Sequence, residues 1–335
     1  MTRKIAILIA LMVTALAASA QNELLLNHYW AAPTLYNPAS AGGVDAVRIL
    51  GGGRLQWMGM EDHPKEYVGA VDAPFKLFGQ KFGAGVTGVS INQGLYRGLD
   101  AAASIAYRVK LGPGELAAAV RIGYLSMKFK GSDYVAEGDS LVTDEMPTTD
   151  VKGHAIDLGA GVEYSLKFLK VGVSLLHATQ PTITMRDGNI ADNLAPDETD
   201  EEGNPTEEEK FTFSPRRTLY FTAEGNIPIS NTLFDLAPSA IVRTDFYHTD
   251  FIVTARARWK KMISAGVGYR HKDAVSFMVM GEVSGFFAGY SYDLCISGPG
   301  KRPASKGSHE LIVGYNLKLD FTPKNRYKHK SIRIM

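Results

Sequence analysis

One cysteine, Cys295, stands in 335 residues. It has no partner for a disulfide within the chain, so packing and hydrogen bonds have to hold the fold. After the first twenty residues there is no apolar run of the roughly 20 residues that a membrane-crossing helix needs. A formal net charge of +1 gives no overall attraction to nucleic acid. His28, His63, His154, His177, His248, His271, His309 and His329 are scattered without metal-ligand spacing. There is no nucleophile-elbow pattern, and no glycine-rich loop opens a helix. No catalytic residue, metal or cofactor is therefore expected. An outer-membrane hydrolase using a pair such as Ser308 and His309 is disfavoured.

What is present begins with a leader pattern. Arg3 and Lys4 precede an apolar stretch over residues 5–17, and Ala18-Ser19-Ala20 offers a small-residue cut before Gln21. The expectation is a signal peptide over 1–20 and export from the cell interior. No lipid-bearing cysteine follows the cut.

From 44 to 321 the chain alternates with period two. Phe251, Val253, Ala255, Ala257 and Trp259 form one face of a segment, and Ile252, Thr254, Arg256 and Arg258 the other. Leu311, Val313, Tyr315 and Leu317 alternate with Glu310, Ile312, Gly314 and Asn316. A soluble β-sandwich also alternates. Three features favour a membrane barrel. The segments run about ten residues, enough for a tilted strand to cross a bilayer. Tyr107, Tyr164, Trp259, Tyr269 and Tyr315 fall near segment ends, as aromatic girdles require. The polar faces carry charges, including Asp157, Glu163, Arg256 and Arg258, which a lumen accepts and a sandwich core does not. Asp157 and Glu163 lie too far apart along one strand for a catalytic pair.

About fourteen strands are expected, starting near Val44, Lys65, Lys81, Leu99, Glu115, Gly153, Phe168, Arg216, Thr232, Asp250, Met262, Ala274, Phe286 and Ser308. The connections then sort by parity. The even-numbered ones are short, whereas the three long ones, 130–152, 178–215 and 296–307, are all odd-numbered. The fold class predicted is all-β: a transmembrane antiparallel outer-membrane β-barrel with short periplasmic turns and long extracellular loops. Residues 21–43 precede it as a periplasmic or plug segment, the barrel occupies 44–321, and 322–335 form a basic periplasmic tail. The stretch 187–209 carries ten acidic residues and no basic one. It reads as a solvated surface loop before a cation site, since no ligand spacing is present. In the tail, Lys324, Arg326, Lys328, Lys330 and Arg333 stand without an acidic residue. They read equally as a docking peptide for an acidic or peptidoglycan-bound partner and as a disordered end drawn to anionic headgroups.

Two regions carry a resemblance. The first holds His28-Tyr29, then Leu35-Tyr36-Asn37-Pro38-Ala39, then Arg54-Leu55-Gln56-Trp57. The second holds Gly289-Tyr290-Ser291-Tyr292-Asp293, then Ser308-His309-Glu310 and Gly314-Tyr315. In this order they resemble the PorP/SprF family of type IX secretion outer-membrane proteins. The resemblance implies a barrel without catalysis in the outer-membrane lipid bilayer. It would work with periplasmic and outer-membrane secretion components to export or surface-tether client proteins with C-terminal sorting domains, gliding-motility adhesins among them. On their own terms, Arg54 and Gln56 share a face expected to point into the lumen, with Trp57 opposite in an interfacial ring. Ser308, His309 and Glu310 start the closing strand. The alternative reading is a diffusion channel or transporter for small or hydrophobic solutes.

Overall fold

The structure, a computed structural model, describes residues 25–133, 149–187, 211–229 and 233–319. The strands in chain order are β1 Ala46–Leu55, β2 Lys65–Leu77, β3 Gln80–Gln93, β4 Tyr96–Leu111, β5 Gly114–Lys130, β6 Asp150–Ser165, β7 Leu169–Leu176, β8 Ile183–Asp187, β9 Phe211–Phe213, β10 Thr218–Gly225, β11 Ile227–Pro228, β12 Phe234–Thr244, β13 Thr249–Trp259, β14 Ile263–Arg270, β15 Ala274–Val283, β16 Phe286–Cys295 and β17 Ser308–Lys318. Fourteen of them form one closed antiparallel barrel, in which β1 pairs with both β2 and β17. Closure leaves no unpaired edge, the condition for a sheet to sit in lipid. No helix among the described residues is long and apolar enough to cross a membrane.

Alternation decides which way each side chain points. On β5, Ala117, Ala119, Arg121 and Gly123 face inward and are buried, while Val120 and Ile122 are exposed on the outer wall. On β13, Ile252, Thr254 and Arg256 are buried while Val253, Ala255, Ala257 and Trp259 face out. The outer wall is thus an apolar band that a bilayer covers. Tyr107, Tyr164, Trp259 and Tyr315 fall near the end of the barrel with the short turns, and Tyr269 near the other end.

The strands start within three residues of the positions expected from the sequence, and long and short connections segregate to opposite ends. Two details differ. The stretch 178–215, expected as one loop, contains the hairpin β8–β9, whose first strand pairs with the outer end of β6 at Val151 and Lys152. Ile183 and Met185 there bury against Leu125, Phe129 and Val151, so this side of the wall rises beyond the barrel. Trp57 lies past the end of β1, with φ of 53°, and donates its backbone N–H to Ser308 Oγ at 3.1 Å. Its ring packs on Gly300 of the connection 296–307, not in an interfacial ring. A left-handed residue cannot continue the strand, so the outward-facing position expected for it is lost. The acidic stretch 188–209 and the tail 322–335 lie outside the described residues.

Candidate functional site

Residues 25–43 run inside the barrel. Tight turns at Pro33–Leu35 and Pro38–Ser40 make them compact. Asn37 shapes the second turn: its Oδ1 accepts from Ala39 N at 2.9 Å, and the proline after it fits the first helical position. Asn37 Nδ2 donates to the backbone carbonyl of Val162 on β6 at 3.1 Å. The one residue type thus both forms the turn and fastens it to the wall.

The apolar side chains of the segment pack in three places. Leu26 and Ala32 meet Leu50, Val68, Phe287 and Ile312. Leu25, Tyr29 and Tyr36 meet Leu176, Tyr220, Ile241 and Ile252. Ala39 and Ala41 meet Ala106, Ala117 and Ala119. Each fully buried large side chain contributes roughly 1.5–3 kcal/mol relative to exposure. The small alanines serve another purpose, letting backbone approach wall.

The polar groups complete the grip. Arg48 Nη2 donates to Ser40 O at 2.9 Å, and Gly42 N donates to Asp72 Oδ1 at 2.9 Å. Arg108 donates to Ala39 O at 2.6 Å and Ala41 O at 3.2 Å. Ser40 Oγ donates to Glu163. Ser174 Oγ donates to Tyr36 O at 2.5 Å, and the rings of Tyr36 and Tyr220 lie 5.6 Å apart. Tyr29 donates to Ser239 at 2.9 Å, with Thr254 3.4 Å away. Every strand of the barrel touches this segment, β3 through Gly83 and β5 through Ala117 and Ala119.

The tightest polar cluster surrounds Asn27 and His28. Glu310 accepts from both backbone N–H groups, at 2.7 and 2.9 Å, and from His28 Nδ1 at 2.7 Å. As a carboxylate it can only accept, which places the imidazole proton on Nδ1. Asn27 Nδ2 donates to Asp293 Oδ1 at 2.5 Å and to Ser291 Oγ at 2.9 Å. Its Oδ1 accepts from Arg270 at 2.9 Å and Ser276 at 3.1 Å. Arg54 bridges the two acids, 2.5 Å from Asp293 and 3.5 Å from Glu310. Arg54, Asp293 and Glu310 are all at least 98% buried. Charges this deep are tolerated because each is paired and hydrogen-bonded.

Of the residues singled out in the sequence, His28, Arg54, Asp293 and Glu310 therefore meet in one place, with Tyr36, Asn37 and Pro38 on the segment they hold. Tyr36 OH also accepts from Leu26 N at 2.9 Å, closing the segment on itself. Gln56 is buried just beyond β1 and pairs by its N–H with Pro64 O at 2.9 Å. Tyr292 and His309 lie elsewhere: their rings pack 5.2 Å apart on the outer side, and His309 Nδ1 is 2.7 Å from Tyr290 OH. Gly314 accommodates the Phe287 ring, and the Tyr315 ring packs tilted against Phe286, centroids 4.3 Å apart, near the short-turn end. Asp157 pairs with Arg121 at 2.7 Å and His177 at 3.1 Å, a wall contact. Lys324, Arg326, Lys328, Lys330 and Arg333 fall outside the described residues. Sequence reasoning did not single out Asn27, Asp72, Arg108 or Arg270. The available signal was a charge at an inward position of a period-two strand. For Asn27 it was adjacency to His28-Tyr29. No group of three or more His, Cys, Asp or Glu positioned for a metal occurs among the described residues.

No curated protein sequence matches the chain. Among solved structures it is similar to the Ralstonia pickettii toluene transporter TbuX, at 11% identity over 86% of this chain and 94% of that one, with a TM-score of 0.47. It is similar to a Pseudomonas aeruginosa FadL homologue, at 10% identity over 85% and 93%, with a TM-score of 0.46. It is also similar to the Acinetobacter baumannii outer membrane protein Omp33, at 6% identity over 83% and 100%, with a TM-score of 0.43. The family described as type IX secretion system membrane protein PorP/SprF matches residues 18–315. The chain is an outer-membrane β-barrel that belongs to the PorP/SprF family of the type IX secretion system.

Proposed function

We propose that the protein is a non-enzymatic adaptor barrel of the type IX system whose lumen is closed by residues 25–43. In this reading it helps export or surface attachment of client proteins with C-terminal sorting domains, among them gliding-type adhesins or secreted enzymes. The short-turn end faces the periplasm and the long-loop end the outside. Residues 1–20 act as a signal peptide removed near Ala20. The tail, with Lys324, Arg326, Lys328, Lys330 and Arg333, meets periplasmic secretion components.

The observation that supports this most is the contact of one inner segment with all fourteen strands, anchored by Asn27 and His28 on Glu310 and Asp293. A diffusion channel needs a continuous water path, and a segment gripped by buried charges opposes one. A holder of other proteins needs no such path. Parity of the connections supports the orientation, since barrels of this kind turn tightly in the periplasm.

The test is gentle extraction of the tagged protein from outer membranes, with and without residues 323–335. Recovery of periplasmic secretion components or a large sorting-domain protein, lost on tail deletion, supports the adaptor. A barrel that purifies alone in both forms overturns it and moves the assignment to a solute channel.

A further inference from the structure

Below the inner segment, the lumen opens at the short-turn end into a cavity of about 770 Å³. Its inner end is closed by Trp30, whose ring lies 3.5 Å beneath the guanidinium of Arg256. Arg256 and Arg258 share the inward face of β13, and Lys261 and Lys318 stand exposed at its mouth. Glu224 and Glu282 are the acidic residues of the lining, so cations exceed them.

The arrangement of hydrogen bonds is lopsided. Arg256 Nη2 lies 3.3 Å from Glu224. Arg258 Nη2 donates to Asn226 and lies 3.5 Å from Asp235. These contacts orient both guanidinium groups by one edge. The Nε–H of Arg256, the Nε–H of Arg258 and the Nε1–H of Trp30 are left buried without a partner. All three are donors, and all belong to this one lining. The four cationic side chains of the lining outnumber its two carboxylates, so an anionic occupant is the one that balances its charge.

We propose that this cavity is a binding site for a carboxylate-bearing segment of another polypeptide, entering from the short-turn end. Carboxylate oxygens match what the wall offers, because the arginine and lysine N–H groups are cationic donors that cannot accept. The Trp30 ring and Met280 give the lining an apolar part suited to the non-polar atoms of a peptide. The volume lies in the range that encloses a ligand of a few residues. A lipid headgroup is disfavoured by position, since the cavity lies inside the wall and the bilayer outside it. The inference rests on the adaptor reading only for the side from which the ligand arrives.

Fluorescein-labelled hexaglutamate is the probe, added to the detergent-solubilised full chain, with hexaglutamine and inorganic phosphate for comparison. Hexaglutamate is expected to bind about tenfold or more tightly than hexaglutamine. Arg258→Gln combined with Lys318→Gln should weaken it by about tenfold, and Trp30→Phe, which keeps an aromatic ring and removes no charge, should leave it nearly unchanged. Lys152→Gln, at the opposite end of the barrel, should leave it unchanged. Retained resistance to unfolding by SDS confirms that the variants fold. Equal binding of hexaglutamine overturns the proposal, as does equal binding by Arg258→Gln/Lys318→Gln and Lys152→Gln. Displacement of hexaglutamate by an equimolar amount of phosphate also overturns it, leaving only a simple anion site. If the peptide binds through Arg258 but no secretion component co-purifies, the site stands and the adaptor reading falls.

Discussion

Asn27 donates its side-chain amide to Asp293 at 2.5 Å, across 266 residues of sequence. Both hydrogens of that amide and both acceptor positions of its carbonyl are used, by Asp293, Ser291, Arg270 and Ser276. An amide is the group that fits here. Aspartate has the same shape but no donor, and would set a second carboxylate against Asp293.

Asn27→Asp is therefore expected to release the start of the inner segment without dissolving the barrel. The loss of donors and the new like-charge contact cost about 2–5 kcal/mol. The sheet hydrogen bonds do not pass through Asn27. Hydrogen exchange should show faster exchange at residues 25–43 and unchanged protection in β4 and β5. Equal protection of the segment in both proteins would refute the anchoring role of Asn27.

Ala41 lies against Gly83 of β3 so closely that a Cβ on Gly83 would strike its carbonyl. The next residue, Gly42, has φ of +62°, a conformation that side chains oppose. Gly83→Val should displace the lower part of the segment while leaving β3 paired. Protease cleavage within residues 25–43 in the folded barrel would report this, and full resistance would argue that the close approach is absent.

Asn37→Ala removes the turn-closing acceptor and the bond to Val162. An N-cap loss of about 1–2 kcal/mol is expected. The thermal transition should fall modestly, and Asn37→Asp, which keeps the acceptor for Ala39 N, should recover part of the loss.

Val120 projects from the middle of β5 and is 61% exposed on the outer wall. In a bilayer, Val120→Arg should destabilise folding by about 2–4 kcal/mol. The inward neighbour Ala119 carries no such depth dependence. Urea unfolding in lipid vesicles checks the value, and a neutral effect would mean that this wall does not meet lipid.

The barrel was legible because its cause is local. Alternation such as Ala117–Val120–Arg121–Ile122 fixes which face meets lipid, and turns such as Gly112-Pro113 mark each return. The β8–β9 hairpin escaped notice because its two short apolar pieces flank a long acidic stretch, and neither is long enough for period two to stand out. The path of the inner segment was not legible for a different reason. Arg54, Asp293 and Glu310 are inward by alternation, yet nothing local tells that all three converge on Asn27 and His28. That convergence follows from the closing of β1 on β17, which brings the two ends of the barrel sequence side by side. Trp57 misled because a strand pattern was continued two residues past the end of β1.

The most direct measurement is conductance of the purified protein in planar lipid bilayers, before and after deletion of residues 21–43. The account predicts a silent full-length barrel and a deletion variant that passes ions in discrete steps. Steady conductance by the full-length protein, unchanged by the deletion, would contradict it.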